Sequence, residues 1–139
     1  MSAAAARRLR AAPVESTAAP VMAERPITAL GRGDVERWIG ESFRRRGYVV
    51  SGFGGSAASD GVDLGLTRNG DRFLVNFRHW QKQQIGIAVI WDLTTAIAAQ
   101  GASGGFVITG GRFTREARQF AELCGISLID GDALATKQI

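Results

Sequence analysis

The stretch GVDLGLTRNGDRFLVNFR, residues 61–78, decides the fold of this chain. Asn69-Gly70 lies between two β-rich segments, and this pair strongly favours a type I′ turn, in which both central residues need a positive φ. We therefore predict an antiparallel hairpin with one strand from Val62 to Arg68 and the other from Arg72 to His79.

The second strand of this hairpin carries two polar side chains on an otherwise apolar element. Because side chains alternate along a strand, Asn76 and Arg78 share one face with Leu74. An amide and a guanidinium on such a strand are costly unless they have partners or a function. Asp63, near the start of the paired strand, is the predicted partner of both groups. The apolar side chains on the opposite face are Phe73, Val75 and Phe77.

Apolar spacing on either side of the hairpin predicts further helices and short strands. The predicted helices are Asp34–Arg46, Ile87–Gln100 and a segment from a Thr114 cap to about Cys124. The predicted strands are Tyr48–Ser51, Phe106–Thr109 and Ser127–Ile129, followed by a terminal turn at Asp132–Ala135. The order αβββαβαβ places helices against a mixed sheet, which is an α/β architecture.

The predicted helices each have an apolar face that should pack on the sheet. The inward residues are Val35, Trp38, Ile39 and Phe43 in the first helix; Val89, Ile90, Leu93, Ile97 and Ala98 in the second; Phe113, Ala117, Phe120 and Cys124 around the third. These faces imply that the sheet is covered by helices.

Composition and charge agree with one small globular domain. The 139 residues are 45% hydrophobic and 22% charged, with a net charge of +4 and a pI near 10.2. This basicity allows binding to a polyanion without requiring it, and genomic base composition explains an arginine-rich chain equally well. The single cysteine, Cys124, excludes an intramolecular disulfide and a cysteine-based zinc site. A reducing cytoplasm fits this composition.

The first 27 residues differ from the rest of the chain. They are rich in alanine and arginine and lack apolar periodicity, so we expect a disordered tail over 1–27 and a folded domain over 28–139. A dangling basic tail is favoured over an organelle transit peptide, and no hydrophobic block follows the arginines as in a secretory signal. No run approaches the ~18 apolar residues of a membrane span.

The hairpin and its polar residues resemble the PD-(D/E)xK nucleases, and within them the Mrr-type restriction endonuclease domain. In that family a Gly-Val-Asp step opens one strand and a Gln-x-Lys triplet lies on the next. Here the aspartate is Asp63, and the triplet has become Asn76-Phe77-Arg78, followed by His79-Trp80. The resemblance runs from about Asp34 to Leu134 and includes the segments Gly104–Thr109, Arg112–Ala117 and Leu128–Gly131.

The resemblance implies a restriction-endonuclease-like αβββαβ core with a C-terminal αβ extension. It also implies metal-dependent hydrolysis of DNA phosphodiesters, in the restriction of foreign or modified DNA. Asp63 and Glu36 would hold Mg²⁺, Asn76 would be an auxiliary ligand, and Arg78 would stabilise the phosphate. Asp60 lies close to Asp63 in the sequence, and a solvated surface charge is the alternative for Glu36.

The implied partner is duplex DNA, bound without any membrane, by a homodimer or a larger defence complex. Candidate DNA contacts are Arg112, Arg115, Thr114, Lys82 and His79. Free N–H groups at the Gly110-Gly111 turn and the Thr114 helix start are a candidate phosphate site, and a simple turn with surface arginines is the default. The loop Gly52–Ser56 lacks the ending of a phosphate-binding loop and is expected to border the site.

Two functions from different classes follow from the altered triplet. Asn76 is one methylene shorter than the family glutamine, and an arginine side chain does not give up its proton, so Arg78 cannot act as a proton acceptor. The first hypothesis is an Mrr-like endonuclease with a changed site, in which Lys82 or His79 replaces the lost lysine. The second is a non-catalytic module of the same fold that binds DNA or a protein partner.

Overall fold

Four α-helices and seven β-strands form the part of the chain that the structure, a computed structural model, describes: residues 26–52 and 61–135. The helices are α1 (Arg32–Arg45), α2 (Ile87–Gln100), α3 (Arg115–Cys124) and α4 (Gly131–Ala135), preceded by a 3₁₀ helix at Ile27–Ala29. The strands are β1 (Val49–Ser51), β2 (Leu64–Arg68), β3 (Asp71–Asn76), β4 (Gln84–Ile85), β5 (Gly104–Ile108), β6 (Arg112–Phe113) and β7 (Ile126–Ile129).

Five of these strands form one mixed sheet in the order β1-β2-β3-β5-β7. The pairs β1–β2 and β2–β3 are antiparallel, whereas β3–β5 and β5–β7 are parallel. Parallel neighbours need a crossover, and here α2 and α3 provide the two crossovers. The predicted α/β architecture with a mixed sheet is therefore confirmed.

The turn between β2 and β3 has the predicted geometry. Asn69 and Gly70 have φ values of 55° and 85°, which is the left-handed conformation that a type I′ turn requires at both positions. Arg68 pairs with Asp71 directly across the turn, and the register continues to Leu64 opposite Val75. This register fixes which residues meet at the far end of the hairpin.

Each face of the sheet has its own apolar core. The core on the α1 side contains the buried residues Ile27, Leu30, Val35, Trp38, Ile39, Phe43, Leu64, Leu66, Val75, Phe77, Ile108, Ile129 and Leu134. The core under α2 and α3 contains Val62, Leu74, Ile85, Ile90, Leu93, Ala96, Val107, Phe113, Ala117, Ala121 and Ile126. The molecule is thus a three-layer sandwich, with the sheet between α1 and the α2–α3 pair.

The predicted helices agree with the structure, apart from details at their ends and on one face. The bounds of α2 are those predicted, and α1 begins at Arg32 rather than at Asp34. The prediction that Ala98 faces inward was wrong, since it is exposed and Ala96 is buried instead. Ala96 comes three positions after the buried Leu93, which places both on one helical face, whereas Ala98 lies about 140° from Leu93 around the helix.

A second, two-stranded sheet was not predicted. In it β4 and β6 pair in parallel, with Gln84 opposite Arg112 and Ile85 opposite Phe113. Two-residue strands are too short to show a periodic pattern in the sequence. The last segment also differs from its prediction, because Gly131–Ala135 is a short helix and not a turn.

Several sequence predictions fall on residues that the structure does not describe. Residues 1–25 of the predicted tail, residues 53–56 of the predicted loop, and Asp60 lie outside the described residues. Ile27, at the predicted domain boundary, is buried in the α1-side core. In the described segments, no helix is long and apolar enough to cross a membrane.

Replacing two of the glycines by alanine should change the stability of the protein in opposite directions. A Cβ at Gly111 would overlap the carbonyl oxygens of Lys82 and Gln83, so Gly111→Ala should destabilise the protein by about 1–3 kcal/mol. A Cβ at Gly33, within α1, has nothing within 4 Å, so Gly33→Ala should stabilise it by roughly 0.5–1 kcal/mol. Urea unfolding of both variants checks this, and equal effects of the two substitutions would contradict the packing around Gly111.

Candidate functional site

Asp63 lies at the open end of the hairpin, where β2 begins and β3 ends. Its backbone N–H donates to the carbonyl oxygen of Val75 at 2.7 Å, which extends the strand pairing by one residue. The exposed fraction of its side chain is 0%. A carboxylate buried to this degree needs partners for both of its oxygens, because an unpaired buried charge is strongly destabilising.

Both oxygens of the Asp63 carboxylate have partners. Oδ2 accepts hydrogen bonds from the backbone N–H groups of Phe77, at 2.8 Å, and Arg78, at 2.9 Å. Oδ1 accepts from Arg32 Nη2 at 3.1 Å and lies 3.5 Å from Arg78 Nη2. The chain after β3 therefore curls around the carboxylate. The carboxylate accepts the hydrogen bonds of two backbone N–H groups that would otherwise need a carbonyl oxygen of a neighbouring strand.

Arg32 is the member of this site that the sequence analysis missed. It is the first residue of α1 and lies 31 positions before Asp63 in the chain. Its guanidinium carbon is 4.9 Å from the centre of the Phe77 ring, so the same group makes a cation–π contact and an ion pair. Its side chain remains 38% exposed, so it is only partly covered by the protein.

The predicted pairing of Asp63 with Asn76 and Arg78 is right for Arg78, which lies two residues beyond the end of β3, and wrong for Asn76. The Asn76 amide donates instead to the carbonyl oxygen of Gly61 at 2.8 Å, because the carboxylate oxygens already have other donors. Arg78 Nη2 also donates to the carbonyl oxygen of Val62 at 3.2 Å. Two buried atoms in the described part of the chain have no hydrogen-bond partner, Asn76 Oδ1 and Arg78 Nε.

The described residues do not fit a Mg²⁺ ion at Asp63. A hard cation of this kind needs several oxygen ligands, and the Asp63 carboxylate already faces two guanidinium groups. Within 26–52 and 61–135 there is no group of three or more His, Cys, Asp or Glu side chains that could hold a metal. Glu36 lies in α1, partly exposed, and belongs to no such group.

A groove opens on the α2 side of Arg78. Its volume is about 640 Å³, and we call it the α2 groove; its lining includes Gly61, Arg78, Trp91, Asp92, Thr95 and Gln100. The sequence analysis did not single out Trp91 and Asp92, because residues of an amphipathic helix that face away from the core give no periodic pattern of their own. The altered triplet therefore borders a cavity through its last residue.

Two of the five predicted DNA contacts line a different cavity. Lys82 and Arg112 line a cavity of about 580 Å³ together with Asp132, whose carboxylate is 4.0 Å from the Arg112 guanidinium. Lys82 does not line the α2 groove. Arg115 is exposed at the start of α3. Lys82 and Arg112 thus line a cavity other than the one that Arg78 lines.

The N–H groups of the Gly110-Gly111 turn are not free to bind a phosphate. Gly110 N donates to the carbonyl oxygen of Trp80 at 3.0 Å, and Gly111 N donates to Thr109 Oγ1 at 3.1 Å. The Thr114 hydroxyl caps α3 by accepting from Ala117 N at 3.0 Å. The simple turn that was the default interpretation is what the structure contains.

His79 has an electrostatic environment that disfavours its charged form. Burial lowers the pKa of His79 below the ordinary 6.5, and the nearby charges of Lys82 and Arg78 lower it further, against smaller opposing effects of Asp63 and Asp92. The neutral imidazole is therefore the favoured form at pH 7. In that state His79 can donate or accept a hydrogen bond, but it does not bring a positive charge to a phosphate.

The fold has matches among known families and structures. A family model of the Mrr type, described as restriction endonuclease, matches residues 27–137. The structure of AF1548, a protein of unknown function, is similar, with 15% sequence identity and a TM-score of 0.56. The match covers 69% of the present chain and 60% of the AF1548 chain. The MspJI restriction endonuclease, solved in complex with a 27-mer oligonucleotide, is 18% identical with a TM-score of 0.50 over 88% of this chain and 31% of its own.

The present chain thus spans less than two thirds of either of these two proteins. At such low identity the likeness concerns the fold, and it confirms the predicted restriction-endonuclease-like core. No curated protein matches the sequence.

The bonding around Asp63 predicts a large loss of stability when its carboxylate is removed. Asp63→Ala leaves two backbone N–H groups and two guanidinium groups without their acceptor, so we expect a cost of about 3–5 kcal/mol in urea unfolding. Asp63→Asn should cost less, because the amide oxygen can still accept. Asp34→Ala, which breaks the exposed pair with Arg37, is the matched control and should cost less than about 1 kcal/mol. If Asp63→Ala left the free energy of unfolding unchanged, the carboxylate would not be what holds the site together.

Proposed function

We infer a non-cleaving, DNA-binding role for this chain, which belongs to the Mrr-type restriction endonuclease family. The observation that carries the proposal is the state of the Asp63 carboxylate. Oδ2 accepts from two backbone N–H groups, and Oδ1 pairs with Arg32 and faces Arg78 at 3.5 Å, so a hard cation would have to displace at least one guanidinium. The nuclease fold is kept, and the position at which the family places its catalytic carboxylate serves as an ion-paired anchor.

Arg32 and Arg78 support binding to a DNA backbone at this same place. Their side chains are 38% and 32% exposed, and one nitrogen of each guanidinium pairs with Asp63. A guanidinium has five N–H donors, and those not used by the carboxylate can bind phosphate oxygens. The net charge of +4 favours a polyanion, and MspJI, which shares the fold, was solved in complex with an oligonucleotide.

A working endonuclease with a changed site is the second candidate function. It is favoured by Asn76 Oδ1, a buried oxygen without a hydrogen-bond partner in the described part of the chain. An amide oxygen is a suitable ligand for Mg²⁺. Under this hypothesis the protein hydrolyses DNA phosphodiesters, and Arg32 leaves Asp63 when substrate and metal bind.

The binding proposal predicts weak, salt-dependent affinity for duplex DNA with little sequence preference. Log affinity should fall linearly with log salt, and Arg32→Gln should reduce the slope by about 0.9, the value for one phosphate contact. Arg37→Gln, on the exposed side of the same helix, is the matched control and should leave the slope unchanged. Arg32→Lys keeps the positive charge and the ion pair with Asp63, so it should bind DNA like the natural protein. It shows whether the effect of Arg32→Gln comes from the lost charge or from a folding defect. Affinity that is indifferent to salt would contradict the proposal.

The same proposal predicts that the natural sequence does not cut plasmid DNA with Mg²⁺ or Mn²⁺. Cleavage by the natural protein that disappears in Asp63→Asn would establish the endonuclease instead. The double variant Asn76→Gln and Arg78→Lys restores the family triplet, but Arg32 still pairs with Asp63 Oδ1. We therefore expect cleavage only when Arg32→Gln is added to the double variant. A double variant that cuts by itself would show that Arg32 does not block the carboxylate.

A further inference from the structure

Helix α2 lies close to the end of the hairpin at Gly61, two residues before Asp63. Gly61 has a φ of +86°, and a Cβ added to it would lie 3.3 Å from Cβ of Asp92 in α2. A side chain at position 61 would therefore both strain the backbone and press against the helix. The glycine lets α2 approach the end of the hairpin, so that Asp92 and Arg78 line one groove.

Trp91 presents an aromatic surface to this groove. It is 60% exposed, whereas Trp38 packs in the core with 5% exposed. One face of the indole stacks on Phe120, with ring centres 5.7 Å apart and ring planes 21° from parallel. The Phe120 ring thus covers one side of Trp91, while 60% of Trp91 stays exposed and the residue lines the groove. Such an exposed ring is a platform on which a planar ligand can stack.

The charges in the groove distinguish the two ends of a nucleotide. The guanidinium of Arg78 attracts a phosphate. The carboxylate of Asp92 repels a phosphate, but it accepts hydrogen bonds from the amino and imino groups of a base edge. Thr95 and Gln100 add polar groups to the lining. The groove therefore suits a base that points toward α2 while its phosphate stays at Arg78.

We propose that the α2 groove binds an unpaired nucleobase of DNA, stacked on Trp91 with its edge toward Asp92 and its phosphate at Arg78. This inference rests on the DNA-binding function proposed above. A paired base is covered by its neighbours in the stack and cannot lie on the indole, so only single-stranded or locally opened DNA can fill the groove. The protein should then prefer an unpaired segment over a continuous duplex.

The test compares two DNA substrates that share one sequence, a continuous duplex and a duplex with a central unpaired bubble. The natural protein should bind the bubble more tightly, and Trp91→Ala should lower its affinity for the bubble roughly 5- to 150-fold, the range for one base–aromatic stack. Affinity for the continuous duplex should stay the same. Trp91→Tyr should keep most of the affinity and lose the quenching of tryptophan fluorescence that a stacked base causes.

Leu123→Ala is the matched control for the loss of an exposed apolar side chain. Leu123 is 85% exposed and does not line the α2 groove, so its removal should leave both affinities unchanged. Duplex binding without any preference for the bubble, or a preference that survives Trp91→Ala, overturns the groove proposal and leaves the proposed function intact. Binding to neither substrate overturns the proposed function and the groove proposal together.

Discussion

The ion-paired carboxylate of Asp63 is the interaction on which the rest of this structure depends. It accepts hydrogen bonds from the first two backbone N–H groups after β3, and it pairs with Arg32 at the start of α1. One buried side chain thus joins the hairpin to the helix that covers the α1-side core. Burying a charge in this way costs several kcal/mol, which is offset only when each oxygen has good partners. The geometry at the end of the sheet follows from meeting that requirement.

Most of the fold could be predicted from local patterns, because those patterns act over a few residues. Asn69-Gly70 requires two positive φ values, and this alone fixes the turn and the register of β2 with β3. The bounds of α2 follow from an apolar repeat that ends at Gly101 in the left-handed conformation. The pairing of β4 with β6 could not be predicted, since the two strands are distant in the chain and each is only two residues long.

The site was harder to predict than the fold, because its partners come from separate elements. The sequence indicated Asp63 and Arg78 correctly as a pair, since they lie at facing ends of one hairpin. Nothing in the sequence linked Arg32 to Asp63, and a glycine-flanked arginine before a helix is an ordinary surface residue. Asn76 was assigned to the wrong acceptor for a related reason: the Gly61 carbonyl that it binds is a backbone group, which no side-chain pattern reveals.

Arg32 and Arg78 together carry two positive charges, the same charge as a divalent cation. Their ion pairs with Asp63 can therefore neutralise the buried carboxylate and still attract a phosphate from outside. A guanidinium cannot, however, bind a water molecule as a ligand and make it more acidic, which is what a metal ion adds in a hydrolase. Under the proposed function, two arginines in place of a metal would keep the electrostatic part of nucleic-acid binding and would not supply the nucleophile. A nuclease fold can lose cleavage in this way without losing its affinity for DNA.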